Sequence, residues 1–362
     1  MLKRKIVFFT KYSDKGPSSR YRSYQYFSFF QEEFTIICHP LFNDKYVTGY
    51  FNNQRRDYIA LIKAYISRIY FVLKYLRSKE LLFIEYELLP YFPPIFEFLL
   101  HRFKTKVILD FDDAIFHNYD LHPSIFVRKL FSKKIGYISS MADIVITGSP
   151  YLTAYLQKFN NNIFEIPTSV LLKKYVDFSG VTSNSNIYIG WLGSRSTSSN
   201  ILMLRDVITS METEAPGVFF KFMGVDPDIV EEFKSKNVIF EQWSERNELS
   251  FLASLDLGIM PLHDTPFNRG KCGFKLIQYM AMGKPTISTP LAANIKISRG
   301  EKNMFATTEQ DWLKCFVNFI SNREFFRSVG SRNRAIISSY YSVESNAMIY
   351  INLFKNISNV RN

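Results

Sequence analysis

The feature that most constrains this chain is a rhythm. Short apolar runs alternate with longer stretches whose apolar residues recur at helical spacing. Lys5–Thr10, Phe34–Cys38, Leu81–Tyr86, Lys106–Asp110, Asp143–Thr147 and Ile163–Ile166 read as buried strands, and residues 20–33 and 57–77 read as helices. Parallel strands need a long crossover, most compactly a helix, so the alternation predicts a doubly wound parallel sheet. From Pro167 to Asn186 the rhythm stops in a stretch rich in Pro, Gly, Ser, Thr and Asn, which reads as a linker. It restarts at Ile187–Gly193 and continues through strands near Val218–Met223, Val238–Glu241, Leu257–Met260 and Pro285–Ser288, with a helical tail from about Thr308. The expected fold class is therefore α/β: two Rossmann-like, doubly wound domains facing across a cleft. They span residues 1–170 and 187–335, joined by a linker at 171–186, with a tail helix at 336–362 packing back on the first domain. In such sheets ligands sit beyond the carboxyl ends of the strands.

A chain of 362 residues has room for two cores, and 47% apolar with 22% charged residues excludes a mostly disordered or fibrous chain. No uncharged apolar run is long enough to span a bilayer. Met1–Lys5 resembles the basic start of a signal peptide, yet the apolar run after it, Ile6–Phe9, is too short for one, so a cytoplasmic chain is expected. Cys38, Cys272 and Cys315 are far apart and lack metal-ligand spacing; they read as reduced thiols filling apolar space. The net charge is +12, and residues 1–180 hold 25 Lys/Arg against 16 Asp/Glu. That excess suits an anionic partner: a membrane face, a phosphate-bearing substrate or nucleic acid. No nucleic-acid-binding module is visible, so nucleic acid is not the expected partner.

The stretch 257–285 is the richest in chemistry. It reads strand, loop, helix, tight turn, strand. Gly270 and Gly273 allow a backbone to approach a ligand at a helix start, where N–H groups attract phosphate. Arg269, Lys271 and Lys275 add positive charge at the same end. Lys271, Lys275 and Gln278 are spaced to share one helix face, so a diphosphate would meet the two lysines, with Gln278 reaching a sugar hydroxyl. The plainer alternative is a basic helix with a solvated face.

Gln278-Tyr279-Met280-Ala281-Met282-Gly283-Lys284-Pro285 resembles the donor-binding segment of family 4 glycosyltransferases, which have the GT-B fold and commonly show Glu-x7-Glu ending in Glu-Ala-Met-Ala-x-Gly-x-Pro. Gly270 and Gln278 stand where that pattern has its two Glu residues. The Arg-Gly-Lys-Cys-Gly-Phe-Lys form resembles a sub-branch from bacterial surface-polysaccharide clusters. The resemblance implies transfer of a sugar from a nucleotide-sugar, as co-substrate, to a hydroxyl of a glycan or lipid-linked glycan, with no metal or other cofactor. It gives Gln278 the ribose contacts and Gly270 the place of the sugar contact. Lys271, Lys275, Gly273, Ser194 and Arg195 fall to the donor diphosphate, because Ile189–Thr197 resembles the start of the family's second domain. His263, in the donor-side loop, is a candidate sugar contact beside the alternative of a solvated histidine. Gly16-Pro17-Ser18-Ser19-Arg20-Tyr21-Arg22 lies where GT-B enzymes carry a loop touching acceptor and donor. Gly16 and Ser18 offer donors there, and Arg20 and Arg22 can hold phosphate.

Asp110-Phe111-Asp112-Asp113 ends a strand with three carboxylates. Crowding should raise at least one pKa, which suits Asp112 or Asp113 as general base in an inverting reaction. A capping or ion-pairing role is the alternative, and a metal reading is set aside. Basic residues at Arg55, Arg56, Lys63, Arg68, Lys74, Arg77 and Lys79 alternate with Tyr58, Tyr65, Tyr70, Phe71 and Tyr75. The segment 55–79 is thus a candidate contact with the anionic inner face of the cytoplasmic membrane. Its apolar stripe, Ile59, Ile62, Ile66, Ile69 and Leu73, reads equally as the side turned to the core. Two other functions share parts of this pattern: a nucleotide-sugar epimerase of the same fold, and a catalytically silent scaffold at the membrane.

Overall fold

The computed structural model describes residues 3–51, 57–175 and 186–359. Arg55, Arg56 and most of the expected linker lie outside them. The chain divides into two compact units. Unit 1 comprises Met1–Ser169, Gly270–Cys272 and Val343–Asn362; unit 2 comprises Val170–Arg269 and Gly273–Ser342.

Unit 1 is built on a parallel sheet of β1 (Arg4–Phe9), β2 (Phe34–Cys38), β3 (Leu81–Glu85), β4 (Val107–Phe111), β5 (Ile144–Thr147) and β6 (Ile163–Glu165). The order is β2-β1-β3-β4-β5-β6. The strands of the middle of the sheet are apolar on both faces because helices cover both. Val7, Phe9, Leu82, Ile84, Leu109 and Val145 join a core closed by Val72, Tyr75, Leu100, Ile138 and Leu152 from the helices of one face. Phe8 and Phe83 point the other way, into an aromatic cluster with Tyr26, Phe30, Tyr350 and Phe354. The last helix, Val343–Asn359, enters unit 1 through this cluster, and Lys355 pairs with Glu33 at 2.8 Å.

Unit 2 has a second parallel sheet: β7 (Ile187–Leu192), β8 (Val218–Met223), β9 (Val238–Glu241), β10 (Leu257–Met260), β11 (Thr286–Ser288) and β12 (Met304–Phe305). Its order is β12-β11-β10-β7-β8-β9. Ile189, Phe220, Ile259, Ile287, Trp312 and Phe316 centre one core. Tyr279, Met280, Leu252 and Ile337 centre the other face. In each sheet the connections reverse direction beside the first strand, between β1 and β3 and between β7 and β10. There the crossovers leave to opposite faces and open a crevice at the carboxyl ends.

Several local expectations are corrected. The stretch 20–33 is not one helix. It is broken into Pro17–Arg22, a short 3-10 turn at Tyr24–Tyr26 and Phe27–Phe30. The helix after β7 starts as a 3-10 helix, Arg195–Leu204, before the α-helix Arg205–Glu214. In the helix Tyr58–Tyr75, Arg68, Val72 and Tyr75 are the buried residues. Arg68 donates to the Thr10 carbonyl at 2.5 Å and lies over the Phe9 ring, so it is a core residue and not part of a membrane face. The stripe read as core-facing instead faces outward: Ile59, Ile62, Ile66 and Leu73 are 50–68% exposed. Ile69 alone of that stripe packs on the core. No described helix is long and apolar enough to cross a membrane. The three cysteines are unpaired by disulfides.

Candidate active site

In unit 1 the crevice gathers around the end of β1 and the helix Pro17–Arg22. Gly16 precedes that helix, and a Cβ there would lie 2.3 Å from the Tyr12 Cβ, so only glycine lets Tyr12 close over the turn. The Ser19 hydroxyl accepts from the Tyr12 N–H at 2.9 Å and donates to the buried Glu85 carboxylate. Ser23 and the Lys11 N–H also donate to Glu85. Burial outweighs these bonds and pushes the Glu85 carboxyl up to about 7.

Arg22 is 2% exposed and grips Asp110 with two guanidinium nitrogens, one at 2.9 Å, while a third nitrogen donates to the Ile166 carbonyl at 2.8 Å. Its fork is thus filled by the fold. That corrects the expectation that Arg22 presents itself to a phosphate. Arg20 is half-buried beside the Tyr21 ring, its guanidinium 5.0 Å from the ring centroid.

Past Asp110, the three carboxylates diverge. Asp112 accepts from the Tyr86 hydroxyl and from Ser18, whose oxygen lies 3.1 and 3.2 Å from the two carboxylate oxygens. Ser18 and Tyr86 are themselves 2.8 Å apart. Tyr86, the residue after β3, has φ 61°, a left-handed conformation unfavourable for an aromatic residue. That geometry turns its side chain onto Asp112. Burial, and then the neighbouring Asp113, push the Asp112 carboxyl up to about 6. Asp113 faces Lys271 at 3.0 Å.

Lys271 reaches Asp113 because Gly270–Cys272 belongs to unit 1. A Cβ on Gly270 would lie 2.4 Å from that of Ala114, and the Cys272 thiol donates to the Asp112 carbonyl. The helix expected to carry Lys271, Lys275 and Gln278 on one face instead begins at Phe274. Gly273 precedes it with φ +65°, and this left-handed turn takes Lys271 off the helical register. Lys271 and Gly270 therefore lie with the carboxylates of unit 1 and not on the donor helix.

In unit 2 the crevice is formed by the ends of β7 and β10. Ser194 caps the 3-10 helix in a reciprocal capping box with Thr197, and Ser194 and Arg195 are exposed. The His263 N–H donates to Asn200 at 3.0 Å, which joins the loop after β10 to that after β7; the His263 side chain is exposed. Arg269, also exposed, makes two bonds to Asp264. The helix Phe274–Ala281 is pinned by Tyr279, whose hydroxyl accepts from the Leu192 N–H at 2.8 Å. The Tyr279 ring lies where a Cβ on Gly258 would stand, so the helix presses directly on β10. This fixes Lys275 in the first turn, with its ammonium 5.3 Å from the Trp191 ring centroid. The helix start is the positive end of its dipole, so Lys275 and the backbone there favour an anion together. Gln278 is buried, and its amide donates to Glu248 at 2.8 Å; Glu248 also accepts from the Trp243 indole at 2.6 Å.

Residues 185–322 match the family model "Glycosyl transferases group 1". The structure aligns with HepE from Anabaena, solved with UDP, at TM-score 0.71 and 12% identity, over 98% of this chain and all of that one. It aligns with a glycosyltransferase from Rickettsia africae at TM-score 0.72 and 11% identity, covering 99% of each chain. The chain has the GT-B fold, and within its second unit residues 185–322 are similar to the group 1 glycosyltransferases. Among curated proteins it is similar to TuaH of Bacillus subtilis strain 168, named for teichuronic acid biosynthesis. That likeness is 24% identity over 209 residues, 56% of this chain, and the match spans about half the length of the relative (48%).

Within this GT-B frame the structure brings Asp112, Asp113, Ser18, Lys271 and Gly270 together in unit 1, and places Gly273 and Lys275 at one helix start in unit 2, with Gln278 a turn further along and bonded to Glu248. Sequence reading missed Tyr86, Glu248 and Trp243. Tyr86 reads as an ordinary last residue of a strand, and nothing local signals its positive φ. Glu248 sits 30 residues from Gln278, so no motif spacing links them.

Proposed function

We propose that this protein transfers a sugar from a nucleoside-diphosphate sugar to a hydroxyl of a glycan or lipid-linked glycan during bacterial surface-polysaccharide synthesis. The observation that carries the reading is the helix start at Gly273–Lys275, a fixed cationic end inside the unit that matches the glycosyltransferase model. As the bond between the sugar and the diphosphate breaks, negative charge grows on the leaving group, and a preorganised ammonium and helix dipole stabilise it. Arg195 and Ser194 extend the same end of the sheet; the proposal gives His263 a sugar contact, and Gln278, whose amide donates to Glu248, a ribose contact through its remaining polar atoms. UDP bound by HepE supports a uridine nucleotide as the first to test.

Asp112 is the proposed base. Its carboxylate takes the proton of the acceptor hydroxyl while that oxygen forms the new bond to the sugar carbon. Tyr86 and Ser18 hold it in position, and a pKa near 6 makes it ionised yet basic at neutral pH. If the sugar keeps its anomeric configuration, Asp112 positions the acceptor and does not act as base. The exposed stripe Ile59–Leu73, flanked by Lys63, Lys74 and Arg77, is proposed to contact a membrane face.

A thermal-shift screen against nucleoside diphosphates and nucleotide-sugars tests the donor reading. Ligand at about 100 times its dissociation constant adds ~2.7 kcal/mol to stability. The expected result is a shift with one base that Lys275→Ala abolishes. Absence of any nucleotide shift with the intact chain would defeat it.

A further inference from the structure

The helix Ile125–Phe131 has two apolar sides. Val127 and Phe131 pack on the unit 1 core. Phe126 and Leu130, also one turn apart, point outward at 75% and 74% exposure, the highest values among the described large apolar side chains. The fold makes no use of them. Leu121 and Tyr137, 55% and 47% exposed, extend the apolar surface before and after the helix. The stretch 121–142 carries four basic residues (Arg128, Lys129, Lys133 and Lys134) and no Asp or Glu. Lys134 is buried in a pair with Glu87, and Arg128 donates to the Pro123 carbonyl. Lys129 and Lys133 are left at the surface beside the two outward apolar residues.

We propose that this helix docks the protein on an anionic lipid bilayer, with Phe126 and Leu130 entering the interface and Lys129 and Lys133 meeting headgroup phosphates. Apolar residues on one ridge with cations beside them match the apolar and anionic layers of such a surface. A second copy of the chain fits less well, since pairing two such ridges would bring like charges together. The inference rests on the membrane reading above but uses a different helix, which can be removed separately.

The full chain is co-sedimented with vesicles of phosphatidylcholine alone and of equal parts phosphatidylcholine and phosphatidylglycerol. Wild type is expected to bind the mixed vesicles, more weakly as salt rises. Phe126→Ser/Leu130→Ser should weaken binding at least about tenfold, and Lys129→Glu/Lys133→Glu should remove the preference for phosphatidylglycerol. Both pairs are exposed, so melting temperature should hold. Failure of wild type to bind either vesicle overturns the proposal together with the membrane reading. Loss of binding in Ile62→Ser/Ile66→Ser but not in Phe126→Ser/Leu130→Ser overturns this proposal and leaves the other standing. A lipid-free dimer of wild type that Phe126→Ser/Leu130→Ser converts to monomer assigns the ridge to self-association and also overturns it.

Discussion

At the carboxyl end of the first sheet the polar side chains hold one another, while at the carboxyl end of the second most of them face solvent. In unit 1, Glu85 and Asp112 are each held by two or more partners, Asp110 is gripped by two nitrogens of Arg22, and Arg22 is sealed by a third bond to the Ile166 carbonyl. In unit 2, Ser194, Arg195 and His263 are exposed, and the cationic character comes from a helix end. A carboxylate that must take a proton gains from being fixed and partly desolvated before substrate arrives. A site for a diphosphate needs only fixed positive ends, since the ligand brings the opposite charge. The same doubly wound architecture thus serves a wired centre and an open one.

The strongest way to break this comparison is Asp112→Asn. If the wired centre holds the base, turnover should fall by about 10²–10⁴-fold, with nucleoside-diphosphate binding retained. Wild-type rate should fall as pH drops below about 6, where Asp112 protonates. An Asn variant with near-normal turnover would reduce the centre to scaffolding. Arg22→Met comes next. Removing one partner of a buried ion pair leaves Asp110 uncompensated and should destabilise the fold by about 3–5 kcal/mol in chemical denaturation. Little change would mean that Arg22 is more accessible than its burial implies.

Glu85 sharpens the point through pH. Its carboxyl is raised to about 7 in the folded state, against ~4.3 in an unfolded chain. The protonated form is therefore favoured by folding. Its contribution is fully present below the unfolded value and disappears as pH rises through about 7. Compared with wild type, Glu85→Gln should look progressively less destabilising between pH 5 and pH 8, by at most ~3 kcal/mol. Parallel denaturation curves at the two pH values measure this, and a pH-independent difference would contradict it.

These centres differ in how much the sequence discloses. The strands of both sheets follow from apolar runs, because burial on both faces leaves little room for polar residues. The pair Met304–Phe305 was too short to register. Helical periodicity found the stripe from Ile59 to Leu73, but Arg68, Val72 and Tyr75 recur at the same spacing, and the core lies against them. Periodicity gives the angle between faces and not which face is inside. The carboxylates of Asp110–Asp113 were visible as a cluster, whereas Arg22 on Asp110 is a contact across 88 residues. Lys271 falls off the helix face that its spacing predicts because one residue at positive φ, Gly273, resets the register between it and Lys275. The open centre was more legible for the opposite reason: its features lie in one contiguous strand–loop–helix segment.

Gln278 is the place where unit 2 is wired like unit 1, and it yields the smallest effect. A glutamate stands at this position in the resembling family pattern, so Gln278→Glu looks like a harmless exchange. Here it would set two carboxylates within reach of each other, because Glu248 lies 2.8 Å from the Gln278 amide nitrogen and is also held by Trp243. The amide donor is lost and like charges face each other, so the variant should be destabilised by about 1–2 kcal/mol at pH 8. The deficit should shrink toward pH 5 as one carboxylate protonates. Adding Glu248→Gln restores a donor–acceptor pair with the roles exchanged, so the double variant should regain most of the loss in a double-mutant cycle. Independent, additive effects of the two substitutions would mean that Glu248 does not govern Gln278, and the open character of the second centre would then be complete.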